Sequence, residues 1–324
     1  IPVYVVSGSL NSATAPANTV LPVISGGTAA AISTTDGTWT GTAPITYTYQ
    51  WRRNGGAIGG ATNSTYSIVA ADIGTTVTVT VTATNSVGNA SATSAGYTPT
   101  YTQKVITLSP IAYWPMAESS GAVALDASGN SRNGAYTSVT LGQTGIGDGR
   151  TAAGFDGTAS FNNVFSASLA GAFSGAAGTL AGWCRVSAAG DWADATQRTL
   201  CQLRVDGSNL VLLRKSSTAN AFNTIYTAAA TTETVTIATS TTAWFHVAIT
   251  WSKAAEQMMA YFNGVQSGAT QVALGIFAGS LASTSTAVGS ATTTPTQPWK
   301  GNLAHVAIFS TALSAANVLV LATV

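Results

Sequence analysis

The residues able to do chemistry are few enough to weigh one by one. Asp191-Trp-Ala-Asp194 sets two carboxylates around an indole in loop-like text. Sugars stack on aromatic faces and hydrogen-bond to carboxylates, and loops on rigid scaffolds often carry binding. Asp191, Trp192 and Asp194 are therefore candidates for a glycan contact; the alternative is a solvated loop with Trp192 folded onto the domain. Trp299, between Pro298 and Lys300 in Thr/Pro/Gln-rich text, is a further candidate, either as an exposed adhesive ring or as the anchor of its loop. Asp126-Ala-Ser-Gly-Asn130 offers oxygens on a tight turn. Asp126 and Asn130 could hold calcium, which takes hard oxygen ligands, or they could bond their own backbone, the usual habit of such side chains in turns.

The two cysteines, Cys184 and Cys201, both sit in strand-like text. If those strands pair as neighbours, a disulfide is geometrically allowed and would contribute about 3 kcal/mol. The alternative is two small buried thiols. His246 and His305 stand singly in strand text with no ligand partner at a helpful spacing, and read as hydrogen-bonded structural residues. No nucleophile elbow, phosphate loop or zinc-spaced His/Cys set is present. Calcium is the one cofactor considered, and nothing in the sequence demands it.

Composition narrows the function classes. Charged residues make up 7% of 324 residues, against roughly 25% in an average soluble domain. Hydrophobic residues make up 46%, so a core is well supplied and disorder is disfavoured. Net charge is +1 and no basic stripe appears, which excludes a phosphate-neutralising nucleic-acid surface. No apolar run approaches bilayer length, so membrane insertion is not expected. Ile1-Pro-Val-Tyr-Val-Val6 lacks the basic start and long apolar stretch of a signal peptide, and the chain does not begin with Met.

The elements that must position these residues are strands. Residues 1–20 read as an extended arm: Pro2–Val6 has strand propensity and could add to a partner's sheet edge, or the arm could be the first strand of the adjacent domain. Residues 21–100 read as a small β-sandwich. Tyr47, Tyr49 and Trp51 alternate onto one face, as do Val77, Val79, Val81 and Ala83, and Asn54-Gly-Gly56 supplies a turn. Residues 101–110 read as a linker whose flanking Pro99 and Pro110 disfavour helix. Residues 111–324 read as one large sandwich. In it Phe245, Val247, Ile249 and Trp251 share a face, Asn263-Gly264 marks a hairpin, and Ser314 could cap a short final helix.

Thr38-Trp-Thr-Gly41, Tyr49-Gln-Trp-Arg-Arg-Asn-Gly55, Ala71-Asp-Ile-Gly74 and Val79–Asn85 resemble the bacterial and phage Ig-like domains. The resemblance implies that Trp51 is the core tryptophan of that sandwich. Ile111-Ala-Tyr-Trp-Pro-Met116, Gly154-Phe-Asp-Gly157, Leu180-Ala-Gly-Trp183, Tyr261-Phe-Asn-Gly264 and Gly301–Val306 with Ala312-Leu-Ser314 resemble, in order, the laminin-G/pentraxin/concanavalin-like jelly rolls. The implied fold class is all-β: an immunoglobulin-like sandwich plus a larger laminin-G/concanavalin-like one. The family often carries an Asp in the penultimate strand, where this chain has Ala304-His305, which weakens any calcium role borrowed from that strand.

What the two resemblances imply together is a non-enzymatic display protein. The combination looks like a surface protein of a tailed-phage virion, a capsid decoration or fibre, attached to other virion proteins through the arm and Ig-like domain and presenting a lectin-like domain to host glycans. It would be a homo-oligomer. A secreted bacterial adhesin is the alternative. A glycoside hydrolase is more remote, since that chemistry needs two carboxylates about 5 to 10 Å apart and no strand carries acids two residues apart.

Overall fold

The computed structural model describes residues 12–26 and 31–324. It is built of antiparallel strands with a few short helices, so the all-β expectation holds. The chain divides after Gln103 into two compact units. Pro2–Val6, the strand-prone part of the expected arm, lies outside the described residues. The described end of that arm, Ala17–Val20, is a strand paired within the first unit.

In the first unit, β1 (Ala17–Val20) pairs with β4 (Thr38–Thr40), and Thr14 C=O accepts from Thr42 N–H at 3.0 Å. β2 (Ile24–Ser25), β3 (Ala31–Thr34) and β7 (Thr65–Ser67) make a three-stranded sheet. β6 (Gly56–Ala57), β5 (Thr46–Arg53), β8 (Val77–Thr84) and β9 (Asn89–Thr93), in that order, make a four-stranded one. β8 alternates buried and half-exposed as its pattern predicts, and its valine row, fully buried, forms the core with Trp51, Ile32 and Ile68. Trp51 satisfies its indole N–H at Asn63 C=O, 2.8 Å away. Fully buried Asp72 is paired by Arg53 at 2.7 Å and by the Tyr66 hydroxyl at 2.8 Å.

The expected linker contains a helix, α1 (Tyr101–Ile106). Thr100 N–H donates to Gln103 Oε1 at 2.9 Å, and Gln103 N–H donates back to Thr100 Oγ1 at 3.3 Å. That reciprocal cap starts the helix, while Pro99 and Pro110 lie outside it and restrict only the residues before them.

The second unit is two eight-stranded antiparallel sheets around one core. The first sheet runs β13 (Thr140–Thr144), β14 (Thr151–Asp156), β25 (Lys300–Phe309), β16 (Ala177–Val186), β21 (Phe245–Ser252), β22 (Gln257–Phe262), β23 (Val265–Val272), with β10 (Ala112–Trp114) also on β25. The second runs β11 (Val123–Ala124), β12 (Gly134–Thr137), β15 (Phe161–Asn163), β24 (Thr286–Val288), β17 (Arg198–Asp206), β18 (Asn209–Lys215), β19 (Ala221–Ala228), β20 (Thr231–Ala238). Short helices α2 (Ala167–Ala172) and α3 (Gly190–Ala193) sit in loops, and α4 (Ala315–Leu321) closes the chain. Ser314 caps α4 as its sequence suggests, its Oγ accepting from Asn317 N–H. The row Phe245, Val247, Ile249 and Trp251 faces the core.

Of the two readings of the cysteines, the disulfide is corrected and the buried thiols stand. Cys184 lies on β16 of one sheet and Cys201 on β17 of the other, so their strands are not neighbours, and both are free, fully buried thiols. Burial pushes both thiols up from their ordinary pKa, which keeps them protonated and unreactive.

Candidate functional site

Asp191 and Asp194 do come together, but around cations. Lys300 Nζ is 2.7 Å and Arg198 3.8 Å from Asp191 Oδ1. Arg198 also holds Asp194 Oδ2 at 2.6 Å, and fully buried Lys215 holds Asp194 Oδ1 at 2.7 Å. Burial alone would raise the Asp194 carboxyl, but the hydrogen bonds from Lys215 and Arg198 outweigh it and hold its pKa at about 2. These acids brace the loop that joins β16 to β17.

The tryptophans are likewise spent. Trp192 is fully buried on α3, with its indole N–H on Thr241 C=O at 2.7 Å and its ring 5.8 Å from Phe245. Trp299 is fully buried too, donates to Arg185 C=O and packs edge-on to Phe222. Neither offers a face to a sugar, so the expected glycan contact through Asp191, Trp192, Asp194 and Trp299 is corrected to a structural brace.

Asp126 and Asn130 also turn inward. Asp126 Oδ1 accepts from Tyr113 N–H and Ser128 N–H, both at 2.9 Å, and Oδ2 accepts from Arg132 N–H at 2.8 Å. Asn130 Nδ2 donates to Ser128 Oγ at 3.0 Å and to Ile111 C=O at 3.2 Å. The carboxylate that calcium would need is committed to backbone, so the turn-bracing alternative is the one the geometry supports.

His246 and His305 are both buried; the Nδ1 of His246 has no hydrogen-bond partner among the described residues, so the hydrogen-bonded reading is met at His305. His305 sits at a bulge of β25 with φ 53, where the register with β16 shifts. Its Nδ1 is 2.6 Å from the Tyr113 hydroxyl and its Nε2 is 3.1 Å from Asp148 Oδ2. Burial pushes the imidazole pKa down, so this chain of groups ties the loop before β14 to the middle of the sheet with the ring neutral.

What does open to solvent is a polar pocket of about 210 Å³ beside the ion network. Its lining is Thr140 and Gln143 from β13, Gly154, Phe155 and Asp156 from β14, Ser187 just after β16, and Gly301 and Asn302 from β25. β14 and β25 are paired here, Gly154 with Asn302 and Asp156 with Lys300, and Lys300 is the residue that reaches Asp191. The brace therefore fixes the strand ends that form the pocket. Glycines at 154 and 301 keep its floor low.

The carboxylate of the lining is held by its own turn. Asp156 Oδ1 accepts from Thr158 N–H at 2.7 Å, Ala159 N–H at 2.9 Å and Ser160 Oγ at 2.8 Å. Burial alone would raise this carboxyl, but those bonds outweigh it and hold it far below the usual range. It is ionised, and the Thr158 side chain bonds to it as well. Asn302 Oδ1 accepts from Arg185 at 3.3 Å, while its buried Nδ2 has no partner among the described residues. A buried donor without an acceptor costs about 1–3 kcal/mol; closed off from solvent, this amide is a cost carried by the strand pair and no contact for a ligand. Asp156 and Asn302 lay inside motifs quoted above, yet nothing local marked them as lining one pocket.

A search of curated proteins found no match to the chain. Among solved structures, the receptor binding domain of botulinum neurotoxin mosaic serotype C/D matches with TM-score 0.50 at 16% identity, over 67% of this chain and 51% of that one. The botulinum neurotoxin serotype D binding domain matches with TM-score 0.50 at 16% identity, over 68% and 52%. Domain 4 of AbnA, a GH43 extracellular arabinanase from Geobacillus stearothermophilus, in complex with arabinotriose, matches with TM-score 0.46 at 18% identity, over 66% and 98%. The chain spans about half the length of the toxin domains, and at these identities the likeness is one of fold. A family model described as the concanavalin A-like lectin/glucanases superfamily matches residues 156–319, just over half of the chain, and the chain belongs to that superfamily.

Proposed function

We propose that this is a non-catalytic binding protein whose second unit takes one ring of a saccharide in the pocket lined by Thr140, Gln143, Asp156, Ser187 and Asn302. The observation that carries the reading is the lining itself: several uncharged polar side chains from different strands, and a single carboxylate. Sugars are bound by such mixed donors and acceptors. Hydrolysis of a glycoside needs a second carboxylate within about 5 to 10 Å, and the neighbouring Asp191 is buried against Lys300 and Arg198. At about 210 Å³ the pocket is below the roughly 300–1,000 Å³ of drug-sized sites, which suits one residue of a longer glycan. The binding roles named for the toxin domains are in keeping with this reading.

On the larger scale, the proposed setting is the surface of a tailed-phage particle, as a capsid decoration or fibre protein in several copies, with the first unit attaching and the second facing host glycans. The Ig-like resemblance of residues 21–100 and the sparse surface charge support it. A secreted bacterial adhesin would use the same pocket; mass spectrometry of purified particles separates the two.

The test of the pocket is a glycan screen with the full chain, followed by calorimetry on the best ligand. Gln143→Ala and Ser187→Ala should each weaken binding about tenfold, or about 1.4 kcal/mol, with unchanged thermal melting. Unaltered affinity in both would remove the pocket from the reading, and release of reducing sugar from the ligand would remove the non-catalytic part.

A further inference from the structure

Among the described residues, one edge of the first unit is open, and what stands open is backbone. β5 pairs with β8 along its whole length, from Thr46 to Arg53, with no shift in register. On its other edge it pairs with β6 only at Arg52 and Arg53. Just beyond, Trp51 N–H donates to Ala61 C=O at 3.0 Å and Trp51 C=O accepts from Ile58 N–H at 2.9 Å.

Those bonds fix which way the next residues point. In a strand, the N–H and C=O of residues two apart face the same edge. Trp51 faces away from β8, so Tyr49 and Tyr47 do too. Asn54, in the opposite phase, donates to Thr76 C=O on the β8 side at 2.9 Å, as this requires. Among the described residues, no backbone bond meets Tyr47 or Tyr49 on their outer edge.

These groups line a slot of about 860 Å³ whose opposite wall is Thr62, Asn63, Ser64 and Thr65. Thr65 begins β7, the outer strand of the three-stranded sheet. The slot therefore lies between the edges of two sheets. Sheet edges are ordinarily blunted by charge, proline, a bulge or a covering segment. Thr46-Tyr-Thr-Tyr-Gln50 carries none of the first three. Among the described residues, only its far end is covered, where Gln50 Nε2 donates to Trp51 C=O and Ile58 C=O at 2.8 and 2.9 Å.

We propose that Thr46–Gln50 accepts an extended, uncharged polypeptide strand from a partner, added to the sheet beside β5. A polypeptide is the ligand whose own N–H and C=O groups repeat at the spacing of those on Tyr47 and Tyr49, roughly 6.6–6.8 Å for two residues. A saccharide has no such period. The partner strand is uncharged because no residue lining the slot carries a charge that would repay burying one. This proposal is independent of the saccharide reading.

The probe is a capped, uncharged peptide of alternating Thr and Val, eight residues long, titrated into the full chain by fluorescence. Its twin is N-methylated at alternate residues on the edge that would face β5. Binding should weaken at least tenfold with the methylated twin. Tyr47→Pro, which removes an outward N–H and leaves the β8 ladder intact, should weaken it similarly, while Tyr47→Phe should bind as the native chain does. Thermal melts check that each variant folds; if Tyr47→Pro does not, the methylated twin decides alone. Equal binding of the two peptides, loss of binding in Tyr47→Phe, or no binding of the unmodified peptide at millimolar concentration would overturn the proposal.

Discussion

Asp194 is only partly buried, yet it is the counter-ion of a lysine that is wholly so. Removing one partner of a buried pair leaves an uncompensated charge, at a cost of about 3–5 kcal/mol. Because Lys215 also donates to the Asp194 and Thr196 carbonyls, Asp194→Asn should cost about 3 kcal/mol at neutral pH. The pH dependence has a definite sign. A carboxyl held at about 2 when folded and near 3.9 when unfolded contributes stability that is complete above about pH 4 and lost as pH falls through about 2. Denaturant melts of native chain and variant should therefore converge across that window; a gap that stays constant would mean that Asp194 is not the titrating partner. The same residue shows what local text can carry. Asp191-Trp-Ala-Asp194 was legible as a place where acids gather, but Arg198, Lys215 and Lys300 reach it from three strands, and only the fold decides between a brace and a sugar contact. The pocket was harder still, since its lining comes from three strands and a loop and Thr140, Gln143 and Ser187 carry no motif of their own.

The strand β25 joins most of these features. It pairs with β10, β14 and β16, supplies the Lys300 that braces the rim, the Gly301 and Asn302 of the pocket, and the bulge that buries His305. Gly301 has φ 139, and a Cβ there would lie 2.1 Å from Arg185 C=O. The clash is with backbone, so Gly301→Ala should cost about 2 kcal/mol or more and disturb the pocket. Gly171, in α2 with open space around it, is the contrast: Gly171→Ala should be neutral or stabilise by up to about 1 kcal/mol. Urea midpoints of the two variants test this; a Gly301→Ala chain as stable as native would show that the strand can give. The regular strand β8 was legible because burial on one face imposes a period of two, and β21, buried on both faces, because its large apolar side chains still alternate with small or polar ones. The bulge was not, because it answers to Tyr113 and Asp148, far away in sequence. α1 is written in Thr100 and Gln103, whose spacing is that of a reciprocal cap, while the prolines on either side restrict only the residues before them.

On the scale of the whole chain, two separate hydrophobic clusters stand out among the described residues. Trp51 and the valine row make one, and the inward rows of the two eight-stranded sheets make the other, with no residue shared between the two clusters. Units with separate cores unfold separately unless a large apolar interface couples them. The chain should therefore show two thermal transitions, and residues 104–324 produced alone should reproduce one of them. A saccharide held in the Asp156–Asn302 pocket binds only the folded second unit. At a hundred times its dissociation constant it should stabilise that unit by about 2.7 kcal/mol and leave the other transition where it was. The strand-like peptide proposed for the edge beside β5 should do the reverse. If both ligands moved the same transition, or if heating gave a single cooperative step, the two units would be acting as one thermodynamic body and the separate assignment of a site to each would fail. Calorimetry of the full chain with each ligand in turn therefore tests the division of labour directly, because each ligand can shift only the equilibrium of the unit it binds.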